Sequence, residues 1–193
     1  HPGYRATQAG RAMGLPGAEG FHHHAHLAAC LAENGWPLDG GPLAGIILDG
    51  TGLGPDGTVW GGEVLVGDYR GAERRVLLKP APLIGGDRAS REPWRNALAR
   101  LDQAGLGDWA NRLFAERPVA LLRQAVAQGI NAPLSSSVGR LFDAVAAVLG
   151  ICPEGQSYEG EAAMRLEALA GESSDPGGYP YATGGEEIDP APM

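Results

Sequence analysis

The chain has 193 residues, 44% of them hydrophobic, with 15 basic and 23 acidic side chains and a net charge of −8. That composition supports a packed core in one or two small domains, and the negative balance opposes a broad footprint on a nucleic-acid phosphate backbone. No apolar run approaches the ~20 residues of a bilayer span and no basic start leads into an apolar segment, which argues against membrane insertion and a secretory signal. Cys30 and Cys152 lie far apart without zinc-ribbon spacing and read as buried, reduced thiols of a cytoplasmic protein. The start at His1-Pro2-Gly3-Tyr4, without methionine, and the loop-like end Asp189-Pro190-Ala191-Pro192-Met193 suggest a piece of a longer protein.

In chain order, Thr7–Met13 reads as a short helix ended by Gly14-Leu15-Pro16-Gly17. A second helix opens on His22-His23-His24-Ala25-His26 and runs to Asn34, with Gly35 placed for a left-handed cap and Pro37 blocking continuation. Three strand patterns follow, Ala44–Asp49, Thr58–Gly67 and Arg74–Leu78, predicting an antiparallel meander. The first connection is the glycine-rich segment from Gly50 to Gly57 and the second is Asp68-Tyr69-Arg70-Gly71. From Arg91 the pattern becomes helical: Trp94–Leu101, Trp109–Phe114, Pro118–Gln128 with Pro118 at a first helical position, Ser136–Leu149, and Glu159–Ala170. Val138, Leu141, Phe142, Val145, Ala146 and Leu149 recur at helical spacing and predict a core stripe. The tail, rich in Gly, Ser, Asp and Pro up to Pro176-Gly177-Gly178, reads as loop with a closing strand. The divisions are thus a histidine helix and β-meander over 1–80, a helical segment over 91–170 and a tail over 171–193, an α/β chain overall.

The residues that carry chemistry cluster early. His22 and His26, four apart, share one helix face and can hold one ion, with the carboxylate coming from elsewhere. Asp49, ending an apolar strand beside glycines, suits a cation or a set of hydrogen bonds. His23 and His24 point elsewhere on the helix. Gly50-Thr51-Gly52 offers backbone N–H groups and a hydroxyl to phosphate oxygens, although a plain hairpin turn uses the same residues. Gly61-Gly62 predicts a bulge or a close backbone approach, and Glu63 is either a site carboxylate or an exposed strand glutamate. Ser135-Ser136-Ser137 supplies hydroxyls that cap a helix. Asp143 falls on the side of Gly139, where a small residue leaves room for a ligand, and Tyr158-Glu159-Gly160-Glu161 is a helix start or a nucleotide-facing loop.

Together these segments resemble one family. The residues from His22 to Gly35, Leu48 to Gly57, Trp60-Gly61-Gly62-Glu63, Arg91-Glu92-Pro93-Trp94-Arg95, Ser136 to Val145 and Tyr158-Glu159-Gly160 look like the HypF carbamoyltransferases of nickel–iron hydrogenase maturation, and the likeness covers nearly the whole chain. It implies the middle of the HypF C-terminal domain, related to the tRNA threonylcarbamoyl-transferase family, and hence an incomplete actin/Hsp70-like sugar-kinase (ASKHA) fold. By this resemblance His22, His26 and Asp49 match ligands of a divalent metal, zinc or iron. Gly50, Thr51 and Gly52 match a phosphate-side loop, Asp143 a ribose contact, and Gly160 and Glu161 a nucleotide-side loop. The implied reaction passes a carbamoyl group from carbamoyl-adenylate, made upstream from carbamoyl phosphate and ATP, to the C-terminal cysteine of the partner HypE, with neither nucleic acid nor membrane involved. Phe21 stands where many relatives have a polar residue. A further aspartate ligand, a glycine-rich nucleotide segment and the N-terminal regions of the family have no counterpart here, so the chain is expected to bind metal and nucleotide weakly and to turn over little alone. The rival readings are an O-carbamoyltransferase of antibiotic biosynthesis, which uses a sugar hydroxyl, a tRNA-modifying relative, and a non-catalytic HypE-docking fragment.

Overall fold

The computed structural model describes residues 3–17, 19–175 and 177–193. His1, Pro2 and Pro176, which entered the reading of the start and the tail, lie outside the described residues. Helix α1 (Arg5–Ala12) buries none of its residues. Helix α2 (His22–Glu33) turns Leu27, Leu31 and His23 inward. Its end follows from Gly35 at φ +66°: the Gly35 N–H reaches the Ala32 carbonyl at 3.1 Å and the Trp36 N–H the Leu31 carbonyl at 2.9 Å, the paired bonds of a Schellman motif.

Strands β1 (Leu43–Leu53), β2 (Val59–Asp68) and β3 (Gly71–Leu78) form the expected antiparallel meander. The first connection is shorter than the sequence suggests. Gly50-Thr51-Gly52-Leu53 stays in β1, because the ladder is irregular after Leu48↔Gly62 and resumes at Gly52↔Trp60. The turn itself is closed by Asp56, whose Oδ1 accepts the Thr58 N–H at 3.0 Å and the Thr58 hydroxyl at 2.8 Å.

Beyond the meander come β4 (Ala81–Pro82), a 3-10 turn (Gly86–Ser90), α3 (Trp94–Gln103), α4 (Gly107–Leu113), α5 (Val119–Ala127), β5 (Leu134–Ser135), α6 (Val138–Val148), α7 (Glu161–Gly171), β6 (Ala182–Gly184) and β7 (Glu187–Asp189). Pro118 precedes α5 with ψ 54°, outside the helix, so Val119 takes the first helical position. The tail contributes a hairpin of two strands, and β7 runs parallel to β3 through Leu77↔Glu187 and Leu78↔Ile188. Among the described residues the sheet order is β4-β5-β2-β3-β7-β6, with β1 on β2.

Two apolar clusters hold the elements. Ala81, Ile84, Trp94, Ala97, Leu98, Phe114, Ala144 and Ala147 belong to the cluster built around α3 and α6. Leu27, Leu31, Ile47, Trp60 and Leu65 form a smaller one between α2 and the meander. The expected stripe on α6 holds only in part: Ala146 is buried and Val138, Leu141 and Val145 are half-buried, but Phe142 is 45% and Leu149 57% exposed, while Arg140, Asp143, Ala144 and Ala147, outside the stripe, are buried. The reason is the close contact of α6 with α3, which favours small side chains, so the alanines turn inward and Phe142 and Leu149 turn out. The cysteines are unpaired, as expected, but they are not buried: Cys30 is exposed and Cys152 half-buried. No helix among the described residues is long and apolar enough to cross a membrane.

Candidate metal and nucleotide site

The first turn of α2 lies over the last residues of β1. A Cβ on Gly45 would meet Leu27 Cδ1 at 2.6 Å, so this glycine lets the helix settle on the strand. Two sequence-derived candidates, Asp49 and His26, each meet the third, His22. His22 Nε2 is 2.8 Å from Asp49 Oδ2 and 3.1 Å from His26 Nε2. One imidazole nitrogen carries either one N–H or one lone pair, so His22 Nε2 cannot satisfy both neighbours in any protonation state. A cation between them removes the conflict, because all three atoms then present lone pairs to it. These spacings approach the ~3.4 Å that separates donors around a tetrahedral ion with bonds of about 2.1 Å. Burial pushes the Asp49 carboxyl up, but the Gly50 N–H at 2.6 Å and then the imidazole of His22 bring it below the usual carboxylate range. The acceptor set thus fits a divalent ion: imidazole nitrogens with an ionised carboxylate.

His23 joins this group, contrary to the expectation that it points elsewhere. Its Nε2 lies 3.4 Å from Asp49 Oδ2, its ring stacks on Trp60 at 5.9 Å, and burial lowers its pKa. The residues whose donor atoms all lie within 4.8 Å of one another are His22, His23 and Asp49, whereas His26 joins them through His22. The rings occupy space that Gly52 leaves: a Cβ there would come within 2.6 Å of His23 Cε1 and 2.8 Å of His22 Cδ2. His24, by contrast, turns away and meets the Asp68 carbonyl at 2.8 Å.

A second layer is formed where α6 begins. The Ser137 hydroxyl accepts the Arg140 N–H at 3.1 Å, capping the helix as the serine run predicts, and donates to the Gly50 carbonyl at 2.6 Å. Gly61 and Gly62 answer to close backbone approach: a Cβ on Gly61 would strike the Asp49 carbonyl and meet Ser137 Cα at 2.9 Å, and one on Gly62 would meet the Ser136 carbonyl at 2.5 Å. Glu63 is buried, not an exposed strand residue. It accepts the N–H groups of Gly61 and Gly62, both at 2.8 Å, and the Ser136 hydroxyl, while burial raises its pKa. The space expected beside Gly139 is taken by β1, since a Cβ there would lie 3.1 Å from Gly50 Cα.

The nucleotide candidates are linked through residues the sequence reading passed over. A side chain at Gly50 would come within 4.0 Å of both Arg140 Nη2 and Glu159 Oε1. Arg140 Nε in turn stands 3.0 Å from Asp143 Oδ2. Asp143 is fully buried, and burial, opposed by Arg140 and Gln156, raises its pKa to about 6. Gln156 donates to Asp143 Oδ1 at 3.1 Å and accepts the Ala162 N–H at 2.9 Å, tying Asp143 to the start of α7. There Gly160 adopts φ +80°, and Glu161 accepts the hydroxyl and N–H of Ser157, each at 2.6 Å, which holds its carboxyl below the usual range. Thr51 remains exposed at the rim. Gln156 carried no motif signal, and Arg140 stood inside the Ser136–Val145 run with no role of its own assigned.

A mixed α/β architecture with a partial sheet, bearing a histidine–carboxylate cluster at a strand, matches the Kae1-like class of carbamoyltransferase domain. Residues 45–193 match the family described as "Carbamoyltransferase, Kae1-like Domain, second subdomain", and residues 1–33 match "HypF Kae1-like domain". The carbamoyltransferase HypF of Rhodobacter capsulatus is 65% identical over 197 residues, covering 100% of this chain and 26% of that protein. Full-length HypF, crystallised in a phosphate- and nucleotide-bound form, superposes with a TM-score of 0.87 at 38% identity over 98% of this chain and 30% of its own. HypF of T. kodakarensis gives 0.84 at 32% identity over 99% of this chain and 27% of its own. The fold is consistent with the actin/Hsp70-like class. The chain belongs to the HypF carbamoyltransferase family and spans about a quarter of the length of the R. capsulatus relative.

Proposed function

We propose that this chain supplies the metal centre and part of the nucleotide surface for carbamoyl transfer from carbamoyl-adenylate to the C-terminal cysteine of HypE, in the cytoplasm. The observation that carries the reading is His22 standing against both Asp49 and His26, beside Gly50, in a chain of this family. A divalent ion held by these three, zinc or iron, would polarise the phosphate or carbamoyl oxygens as a Lewis acid. The chain's own groups do the rest. Thr51 and Gly52 would offer backbone N–H groups and a hydroxyl to the phosphate side, with Gly50 beside them holding Asp49 through its N–H, and Gly160 and Glu161 border the nucleoside. Among the described residues Asp143 Oδ2 faces Arg140 Nε at 3.0 Å but accepts no hydrogen bond, so it retains an acceptor for a ribose hydroxyl, reached when Arg140 gives way. In the transfer, the cysteine thiolate forms a C–S bond to the carbamoyl carbon, the bond to the phosphate oxygen breaks, and AMP leaves. The two unpaired cysteines suit a reducing compartment.

The test is intact mass spectrometry of HypE after incubation with the complete parent enzyme, ATP and carbamoyl phosphate, comparing wild type with His22→Ala. The expected result is one carbamoyl adduct on the terminal cysteine that disappears in the variant. Adenylation without an adduct would instead point to a hydroxyl acceptor, and an undiminished adduct in His22→Ala would remove the metal centre from the reaction.

A further inference from the structure

His23 is a buried imidazole that neither the fold nor the proposed ligand set uses. Its side chain is 1% exposed, and neither ring nitrogen has a hydrogen-bond partner among the described residues. Leaving such a polar group unpaired is costly, and a phenylalanine would fill the same slot against Trp60 without that cost. The slot is nonetheless shaped for it, by the 13° stack on Trp60 and by Gly52, where any side chain would collide with the ring. The unpaired nitrogen faces Asp49.

His23 Nε2 stands 3.4 Å from Asp49 Oδ2, just beyond the usual N–H···O range, while His22 occupies the same oxygen at 2.8 Å. When the His22 nitrogen turns its lone pair to an ion, Oδ2 loses that partner and His23 is the donor left beside it. The other oxygen keeps the Gly50 N–H at 2.6 Å. Resting on the proposed metal centre, we infer that His23 is a positioning residue: its Nε2–H takes over Asp49 Oδ2 as His22 leaves for the ion and fixes the carboxylate in its ligating orientation. Hydrogen bonds behind metal-bound carboxylates commonly carry 10–100-fold in affinity. His23 thereby acts only through Asp49.

The experiment titrates the full chain with Zn2+ against a chromophoric chelator and records the visible spectrum of the Co2+ form. His23→Phe keeps the stack on Trp60 and removes the nitrogens. It is expected to weaken Zn2+ binding about 10–100-fold and to alter the Co2+ bands, with an unfolding midpoint of the metal-free chain no lower than wild type. His23→Gln, which restores an N–H, should recover most of the affinity, and His24→Gln should change nothing. Wild-type affinity and spectrum in His23→Phe, alongside loss of binding in His22→Ala, would overturn this inference and leave the metal centre standing. Undiminished binding in His22→Ala would overturn the metal centre itself. Should His23→Phe fail to fold, His23→Gln against His23→Met, similar in length with and without the amide donor, makes the same comparison, and equal affinities in that pair refute the role.

Discussion

The region around α3 and the region around α2 bury different things. The first packs Trp94, Leu98, Phe114 and a face of alanines into the larger apolar cluster. The second has fewer apolar side chains, Leu27, Leu31, Ile47, Trp60 and Leu65, and places beside them an unpaired imidazole and a buried carboxyl at Glu63. Polar groups held this way weaken a core but can be aimed. Stability and chemistry are thus concentrated on separate clusters. They are joined where Ser136 meets Glu63 and Ser137 meets Gly50.

Trp94→Ala gives the sharpest test of that separation. Removing a side chain 2% exposed in the larger cluster should cost about 3–5 kcal/mol in chemical denaturation, while Zn2+ affinity, measured where the variant is still folded, stays near wild type. A large loss of affinity would show that the two clusters are one unit.

Asp143 probes the boundary through pH. Its pKa, raised to about 6 by burial, lies above the ~3.9 of an unfolded aspartate. The folded state therefore holds the proton more tightly, and the associated stability is complete below pH ~4 and lost as pH rises through about 6. Denaturation curves across this window should show wild type losing up to ~3 kcal/mol relative to Asp143→Asn, with the gap constant above it. Parallel curves would mean that the carboxyl is solvated.

Gly61→Ala acts at the junction itself. The added methyl meets backbone of both β1 and α6, so a cost of about 1–3 kcal/mol is expected, together with weaker metal binding because Asp49 must shift. Gly71→Ala, where nothing lies within 4 Å of the added atom, is the control and should bind metal normally. The smallest effect belongs to Phe142→Ser. As an exposed position it should move the unfolding midpoint by no more than about 0.5 kcal/mol in free energy, whereas a core phenylalanine would cost several times that.

Which side chains meet at His22 was more legible in the sequence than what surrounds them. His22, His26 and Asp49 were legible because an i, i+4 pair must share a helix face and a charged strand end demands a partner. His23 was not, since a helix of known period can still be rotated about its axis, and only docking on Gly45 and Gly52 shows which imidazole turns inward. Glu63 remained ambiguous because alternation in a strand does not say which sheet face is covered. Arg140 and Gln156 were missed because their role depends on Asp143 alone, through contacts no local pattern records.

By itself the sequence determined what depends on neighbours along the chain: the end of α2 at Gly35 and Pro37, the β1-β2-β3 meander, and the pairing of His22 with His26. Tertiary structure decided the rest: that α6 turns its alanines inward and Phe142 outward, that β1 fills the space beside Gly139, and that short strands such as β5 and β7 pair at all. The physical reason is that periodicity specifies which side chains share a face, whereas the choice of buried face depends on how closely a distant backbone can approach. At α6 and at Gly61 that approach is set by the absence of side chains.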